Sequence, residues 1–239
     1  MRSVKAIFKK QLKDFFKNLA VLIQFIIYPA VGFAMTELVA LADEYIPDTM
    51  FVTMMSSIFV GMALIPTAAG IIAEDRATKS LRFMVMAGVK PPAYLLGVGG
   101  VVLSMSLLPS LAFTLMGRFG GYEFMLFMAV MMLGVMASTL LGLTIGIFAN
   151  NAQAAGGLAM PFALIFGFAP MVANFNAPMM RVTRFFYTQQ IDIVMGSFYS
   201  VSGEQAATNL WESFGIIGAN IAVMVVLFTL VFAKKGLRV

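Results

Sequence analysis

The chain contains no cysteine and no histidine, and only 11% of its 239 residues are charged. Without cysteine there are no disulfides, thiol nucleophiles or thiolate metal sites. Without histidine there is no imidazole base and no Cys/His zinc or histidine-ligated haem site. A soluble domain carries about 25% charged residues and about 45–50% apolar ones. Here the apolar share is 61%. That balance excludes an ordinary soluble domain, a disordered chain and a coiled coil, and leaves an integral membrane protein.

Charge spacing sets the crossings. A spanning helix needs about 20 mainly apolar residues to cross roughly 30 Å of hydrocarbon. Stretches free of Asp, Glu, Lys and Arg run 18–36, 49–73, 91–117, 124–180 and 213–233. The fourth is too long for one helix and breaks at Asn150-Asn151 and again around 174–178. The expectation is an all-α integral membrane fold with six spans, near 19–42, 49–73, 94–117, 124–149, 152–173 and 213–233. The whole chain, 1–239, reads as a single transmembrane domain. A cleaved signal peptide is the competing reading of 1–40. The basic region there is long and patterned, and no A-x-A-like site follows at the right distance.

Six spans put both termini on one side, and the positive-inside rule says which. The inner segments hold Arg2, Lys5, Lys9, Lys10, Lys13, Lys17, Arg76, Lys79, Arg82, Lys90, Lys234, Lys235 and Arg238, against Arg118, Arg181 and Arg184 outside. The prediction is a multi-pass protein of the cell membrane with both termini cytoplasmic. Basic residues scattered over membrane-proximal segments do not point to nucleic acid.

Residues 1–18 carry Val4, Phe8, Leu12, Phe15 and Leu19 on one helical face and Lys5, Lys9, Lys13 and Lys17 on another. This pattern describes an amphipathic helix in the plane of the inner leaflet. Two connections are longer than connection requires. In the cytoplasmic segment 74–93, Thr78 to Met86 can form a short helix. Leu81, Val85 and Met84 would make an apolar ridge beside Lys79 and Arg82, and Gly88 and Pro91-Pro92 would end the element. Such a helix suits docking into a partner's groove. The external segment 174–212 contains Phe185–Met195, too polar to span and too apolar to lie free. It reads as an interfacial or re-entrant helix, and Trp211 as an anchor at the start of the last span.

Within the spans, Gly134, Ser138, Gly142 and Gly146 form a stripe of small residues at spacing four. The stripe allows close helix packing, within this chain or against a second copy. Pro29, Pro66, Pro109, Pro161 and Pro170 interrupt spans. No Asp, Glu, Lys or Arg falls at mid-depth of a span, which argues against ion-coupled transport, a voltage sensor and intramembrane hydrolysis. The 21 methionines and 23 phenylalanines offer adaptable apolar surface. No phosphate-binding loop of the Gly-x-x-x-x-Gly-Lys-Ser/Thr type is present, so the energy for active transport would come from another subunit.

The stretch Glu74-Asp75, Lys79-Ser80-Leu81-Arg82, Gly88-Val89-Lys90-Pro91 and Tyr94-Leu95-Leu96-Gly97 resembles the cytoplasmic loop of type-2 ABC-transporter permeases. These are the membrane half-subunits of ATP-driven exporters. The likeness covers nearly the whole length: basic amphipathic helix, six spans, long first cytoplasmic loop and extended outer segment. Ser80 stands where the family more often has Thr, which keeps the hydroxyl. Phe185–Met195 is similar to the family's outer re-entrant helix but lacks its Asn-Pro start.

The resemblance implies that 74–93 forms a coupling helix touching an ATPase subunit, with Glu74, Asp75, Ser80, Leu81 and Arg82 forming or bracing the contact. It implies a non-enzymatic chain, with ATP and Mg held by the partner, and a second permease copy or a sister permease. The second and fifth spans would line the path. The implied cargo is amphiphilic: a drug, an antimicrobial peptide or a lipid-like molecule. The alternative is a membrane scaffold or immunity subunit that sequesters cargo without transport.

Overall fold

The computed structural model describes residues 2–39, 46–47, 49–198 and 210–236. Its elements are α1 (Arg2–Lys17), α2 (Leu19–Leu38), α3 (Met50–Ile58), α4 (Leu64–Ala77), α5 (Ser80–Met86), α6 (Pro91–Met116), α7 (Gly121–Gly146), α8 (Ala152–Phe175), α9 (Ala177–Thr183), α10 (Tyr187–Gly196) and α11 (Leu210–Val231). No strand occurs among the described residues. A π-helical turn, Phe59–Ala63, joins α3 to α4. Six helices are long and apolar enough to cross a membrane: Leu19–Leu38, Met50–Ala77, Pro91–Met116, Gly121–Gly146, Ala152–Ala173 and Leu210–Lys234. This is the character of a multi-pass membrane protein. The acidic loop 43–48 and the polar loop 200–209 lie largely outside the described residues.

The second of these helices is the axis of the bundle. Its most apolar stretch is 78% buried, against 22% for the first and the last. Two close approaches explain that position. At Gly61 a Cβ would stand 2.5 Å from the Gly167 backbone of α8. At Gly142 and Gly146 of α7, a Cβ would lie 2.3 Å from the carbonyl oxygens of Ile65 and Ala69. The missing side chains therefore let backbones touch on two sides of this helix. The small-residue stripe finds its neighbour within the chain. Gly134 meets Val60 and Ile191, and Ser138 Oγ donates to Val60 O at 2.6 Å. The π turn coincides with Pro66: a proline ring strikes the carbonyl four residues back, here Met62, which lies in the widened turn.

Helix α1 is amphipathic as its spacing predicts, but the buried line is Ile7, Gln11 and Phe15. Val4, Phe8 and Leu12 are half-buried, and Leu19 belongs to α2 and is exposed. The helix lies on α6, where a Cβ at Gly97 would come 2.6 Å from Ile7. Asn18 then starts α2, its Oδ1 accepting from the Val21 amide at 3.3 Å. Asn151 caps α8 in the same way at 2.8 Å.

Beyond α8 the chain doubles back. Asn176 Oδ1 accepts from the Met179 amide at 3.2 Å and starts α9. The turn from Thr183 into α10 is tied by Gln190 Nε2 donating to Arg184 O at 2.6 Å. Asn220 Nδ2 donates to Phe185 O at 2.9 Å. Asn220 lies ten residues into α11, about 15 Å along its axis at 1.5 Å per residue. The hairpin tip is therefore lodged midway along the last helix, and Arg184 reaches back to pair with Glu212 near that helix's start. Helix α10 is a buried element: Tyr187, Thr188, Gln189, Gln190, Ile191, Asp192, Val194 and Met195 are all enclosed. Phe185 and Trp211 stay exposed.

Candidate functional site

The charged residues at one end of the bundle converge on the last turn of α4. Asp75 is 1% exposed. A buried carboxylate is costly unless it is paired and hydrogen-bonded. Asp75 meets that condition three times: Lys10 Nζ donates to Oδ1, Gln11 Nε2 donates to Oδ2 at 2.6 Å, and Tyr94 Oη donates to Oδ2 at 2.8 Å. Lys10 also pairs with Asp14 at 3.2 Å. Burial by itself would lower the Lys10 pKa, yet it is raised from the ordinary 10.5, because the bond to and charge of Asp75, then those of Asp14, favour the ammonium more strongly. Helix α1 is thus fastened to the axis helix by one residue, and that residue also holds α6.

Arg76 points to the opposite side. Its guanidinium donates to Ile147 O and, at 3.0 Å, to Ala149 O. These carbonyls close the C-terminus of α7, where a cation is favoured by the unpaired acceptors and the helix dipole. The aromatic ring of Tyr94 lies 5.7 Å from that of Phe232, in the π turn Phe232–Gly236 that continues α11. Helix α1 and the end of α11 therefore occupy the same end of the bundle. Two consecutive residues, Asp75 and Arg76, link α4 to α1, α6 and α7, and Tyr94 extends the link to the end of α11.

From this knot hangs α5. Lys79 turns the chain with a left-handed backbone, φ 59°. The helix ends as its sequence predicts. Gly88 has φ +78°, the Gly88 amide bonds to Val85 O at 2.9 Å, and the Val89 amide to Met84 O at 3.0 Å. This is the paired closure of a Schellman motif. The ridge differs from expectation. Leu81 is fully buried, and Met84 and Val85 are half-buried against the bundle. The apolar side chains presented outward are Phe83, 67% exposed, and Met86, 74% exposed, with Arg82 and Lys79 beside them. The helical phase is the cause: Leu81, Met84 and Val85 share the face on which the short helix leans.

Of the residues singled out from sequence, Asp75 and Leu81 are internal braces, Glu74 and Arg82 are exposed, and Ser80 is half-buried, with its Oγ 3.0 Å from Thr78 Oγ1. Gly134, Ser138, Gly142 and Gly146 all face the axis helix or α10. Sequence reading missed Lys10, Gln11 and Tyr94, whose roles depend on contacts 65, 64 and 19 residues away. It also missed the polar interior at the hairpin, where Ser138 Oγ and Tyr187 Oη lie 2.8 Å apart and Asp192 is 8% exposed. The spans lack charge at mid-depth, but α10 brings a carboxylate in among them. Runs of Thr and Gln beside aromatics were the available signal. No cluster of acidic residues among the described residues could hold a metal ion. The chain matches no family model and no curated protein.

Proposed function

We propose that this chain is the permease subunit of an ATP-driven exporter of the ABC type, moving an amphiphilic cargo outward by alternating access. The observation that carries the reading is α5. It is a seven-residue helix with an exposed Phe83–Met86 pair and basic neighbours, attached to a knot that ties four long elements. A partner that displaces α5 acts on Leu81 inside the bundle. Through Asp75 and Arg76 the displacement reaches α1, α6 and α7. Nucleotide in the partner drives transport by favouring one arrangement of these helices over the other. ATP and Mg belong to that partner, and this chain carries no catalytic residue.

In the same reading the six apolar helices cross the cell membrane with both termini cytoplasmic, as the distribution of Lys and Arg favours. Helix α1 lies at the inner interface with Lys5, Lys9 and Lys13 toward anionic headgroups. The α9–α10 hairpin is the re-entrant element: its backbone sits at membrane depth because protein encloses it. Arg184 reaches outward to Glu212, as a long cationic side chain does from within the bilayer. A second permease copy or a sister permease completes the pathway, in contact with membrane lipid.

The test is ATP hydrolysis by the complex purified from native membranes. Cargo-stimulated, vanadate-sensitive hydrolysis is expected. Phe83→Asp and Met86→Asp should abolish the stimulation while leaving the chain folded. Leu81→Asp is unsuitable for this purpose, since it buries a charge and should unfold α5. Cargo handling with no nucleotide hydrolysis would overturn the proposal in favour of a sequestering scaffold.

A further inference from the structure

A groove of about 400 Å³ runs where α1, α2 and α6 meet. One wall is Leu22, Ile26 and Ala30 of α2, and the other is Met105, Leu108 and Ala112 of α6. Spacings of three and four put each row on one helical face. Phe15 and Phe16 of α1 stand at one end, where Phe15 packs edge-on against Phe25 with ring centres 5.0 Å apart. Beyond the other end α2 and α6 come together: a Cβ at Gly32 would lie 3.3 Å from the Phe113 ring. The side stays open, with Phe16, Ile26 and Leu108 58%, 66% and 67% exposed. No charged residue lines the groove. Charge gathers only at its α1 end, and it is of one sign. Lys9, Lys13 and Phe16 follow at spacings of four and three, so they share a face of α1, and Lys17 adjoins Phe16. These three lysines are exposed and form no ion pair among the described residues. The acid nearest in sequence, Asp14, is taken by Lys10 at 3.2 Å.

We infer that this groove binds one anionic phospholipid. Its acyl chain lies between the α2 and α6 rows, and its phosphate sits beside Phe16 against Lys13 and Lys17, with Lys9 one turn further along α1. A sideways-opening apolar slot with cations confined to one end matches a hydrocarbon chain carrying an anionic head. Each ammonium offers three donors and no acceptor, so the lysines answer phosphate oxygens. A choline headgroup would set its own cation against them, and a neutral lipid would fill the slot without using them. The lipid braces the end of α1 whose Lys10 and Gln11 hold Asp75. The site rests on the placement of α1 at a membrane interface in the reading above, and not on an ATPase partner.

The experiment uses the full chain in phosphatidylcholine nanodiscs containing phosphatidylglycerol with a photoactivatable diazirine near the end of one acyl chain. Labelling is expected within residues 22–30 and 105–112. Unlabelled phosphatidylglycerol should displace it, and unlabelled phosphatidylcholine should not. In Lys13→Gln/Lys17→Gln the affinity read from displacement should weaken about twentyfold, at about fivefold for each lysine near an anionic headgroup. Ala30→Trp fills the slot from an exposed position and should abolish labelling with every lysine in place. Equal labelling by a phosphatidylcholine bearing the same diazirine, or undiminished affinity in the lysine variant, would overturn the inference. So would labelling spread evenly over all the long helices. Labelling that disappears as the chain is concentrated in the membrane would give the slot to a second copy and overturn it as well. Should Ala30→Trp fail to fold, the lysine variant decides alone, since both lysines are exposed and unpaired. None of these readouts needs an ATPase. Loss of the exporter reading therefore leaves the site standing, and loss of the site leaves α5 and its partner untouched.

Discussion

Asp75 collects donors from α1 and from α6, so its partners can be removed one at a time. Tyr94→Phe deletes one hydrogen bond to a charged acceptor and should cost about 1.5–3 kcal/mol. Asp75→Asn keeps the shape but removes the charge that Lys10, Gln11 and Tyr94 share. It should lower thermal stability more than Tyr94→Phe, and Lys10 can still turn to Asp14. Melting of the purified chain followed by circular dichroism gives both values. A carboxylate just after an uncharged run is visible in sequence; that it is buried is not, because its donors come from distant positions. Lys10 adds a pH dependence. Its pKa is higher in the folded chain than unfolded, so folding binds its proton more tightly. Its contribution is complete below the ordinary 10.5 and is lost as pH rises through the higher folded value. The wild-type melting temperature should therefore fall further than that of Lys10→Met as pH is raised beyond 10.5, and the two should run parallel from pH 7 to 9.5.

Helices pack here by what their glycines omit, and the omissions are unequal. A Cβ at Gly142 or Gly146 meets a carbonyl oxygen of the axis helix at 2.3 Å, and backbone cannot step aside without separating α4 from α7. Gly142→Ala and Gly146→Ala should each destabilise by about 1–3 kcal/mol, the usual cost of overpacking. Gly134→Ala meets only the end of Ile191 at Cδ1 and two Val60 methyls, so it should be milder. Gly99→Ala meets nothing within 4 Å and should be nearly neutral. A thermal-shift series orders the four. The stripe was legible because spacing four is a helical period. Its partner was not, since periodicity marks a face and never says what covers it. The α9–α10 hairpin was harder still. Thr188, Gln189 and Gln190 depress its hydropathy, so it reads as interfacial or re-entrant with no indication of what covers it, yet α3, α7, α8 and α11 enclose it and part of its polarity is spent internally: Gln190 closes the turn and Thr183 bonds to Gln189 at 3.4 Å. Average hydropathy does not register such pairing. Leu81 shows the same limit on a smaller scale: a ridge of Leu, Met and Val is equally consistent with facing in or out.

The six long helices and the meeting of α1 with the end of α11 fix one relation for the whole molecule: the knot at Asp75 and the connection at Arg184–Glu212 belong to opposite ends. The proposed function turns the knot toward the cytoplasm, and the absence of native cysteine makes that directly measurable. Phe83 on α5 and Tyr122 at the start of α7 are 67% and 70% exposed, and α6 alone separates their two ends. Phe83→Cys should react with a membrane-impermeant maleimide only in inside-out vesicles, and Tyr122→Cys only in intact cells. Reaction of both from one side would contradict six crossings. The reversed pattern would preserve the fold but place α5 where no cytoplasmic ATPase could reach it. The exporter proposal would then fail while the bundle and its glycine contacts stood unchanged. Topology therefore separates the architecture from the function assigned to it, and a single pair of substitutions in an otherwise cysteine-free chain is enough to do so.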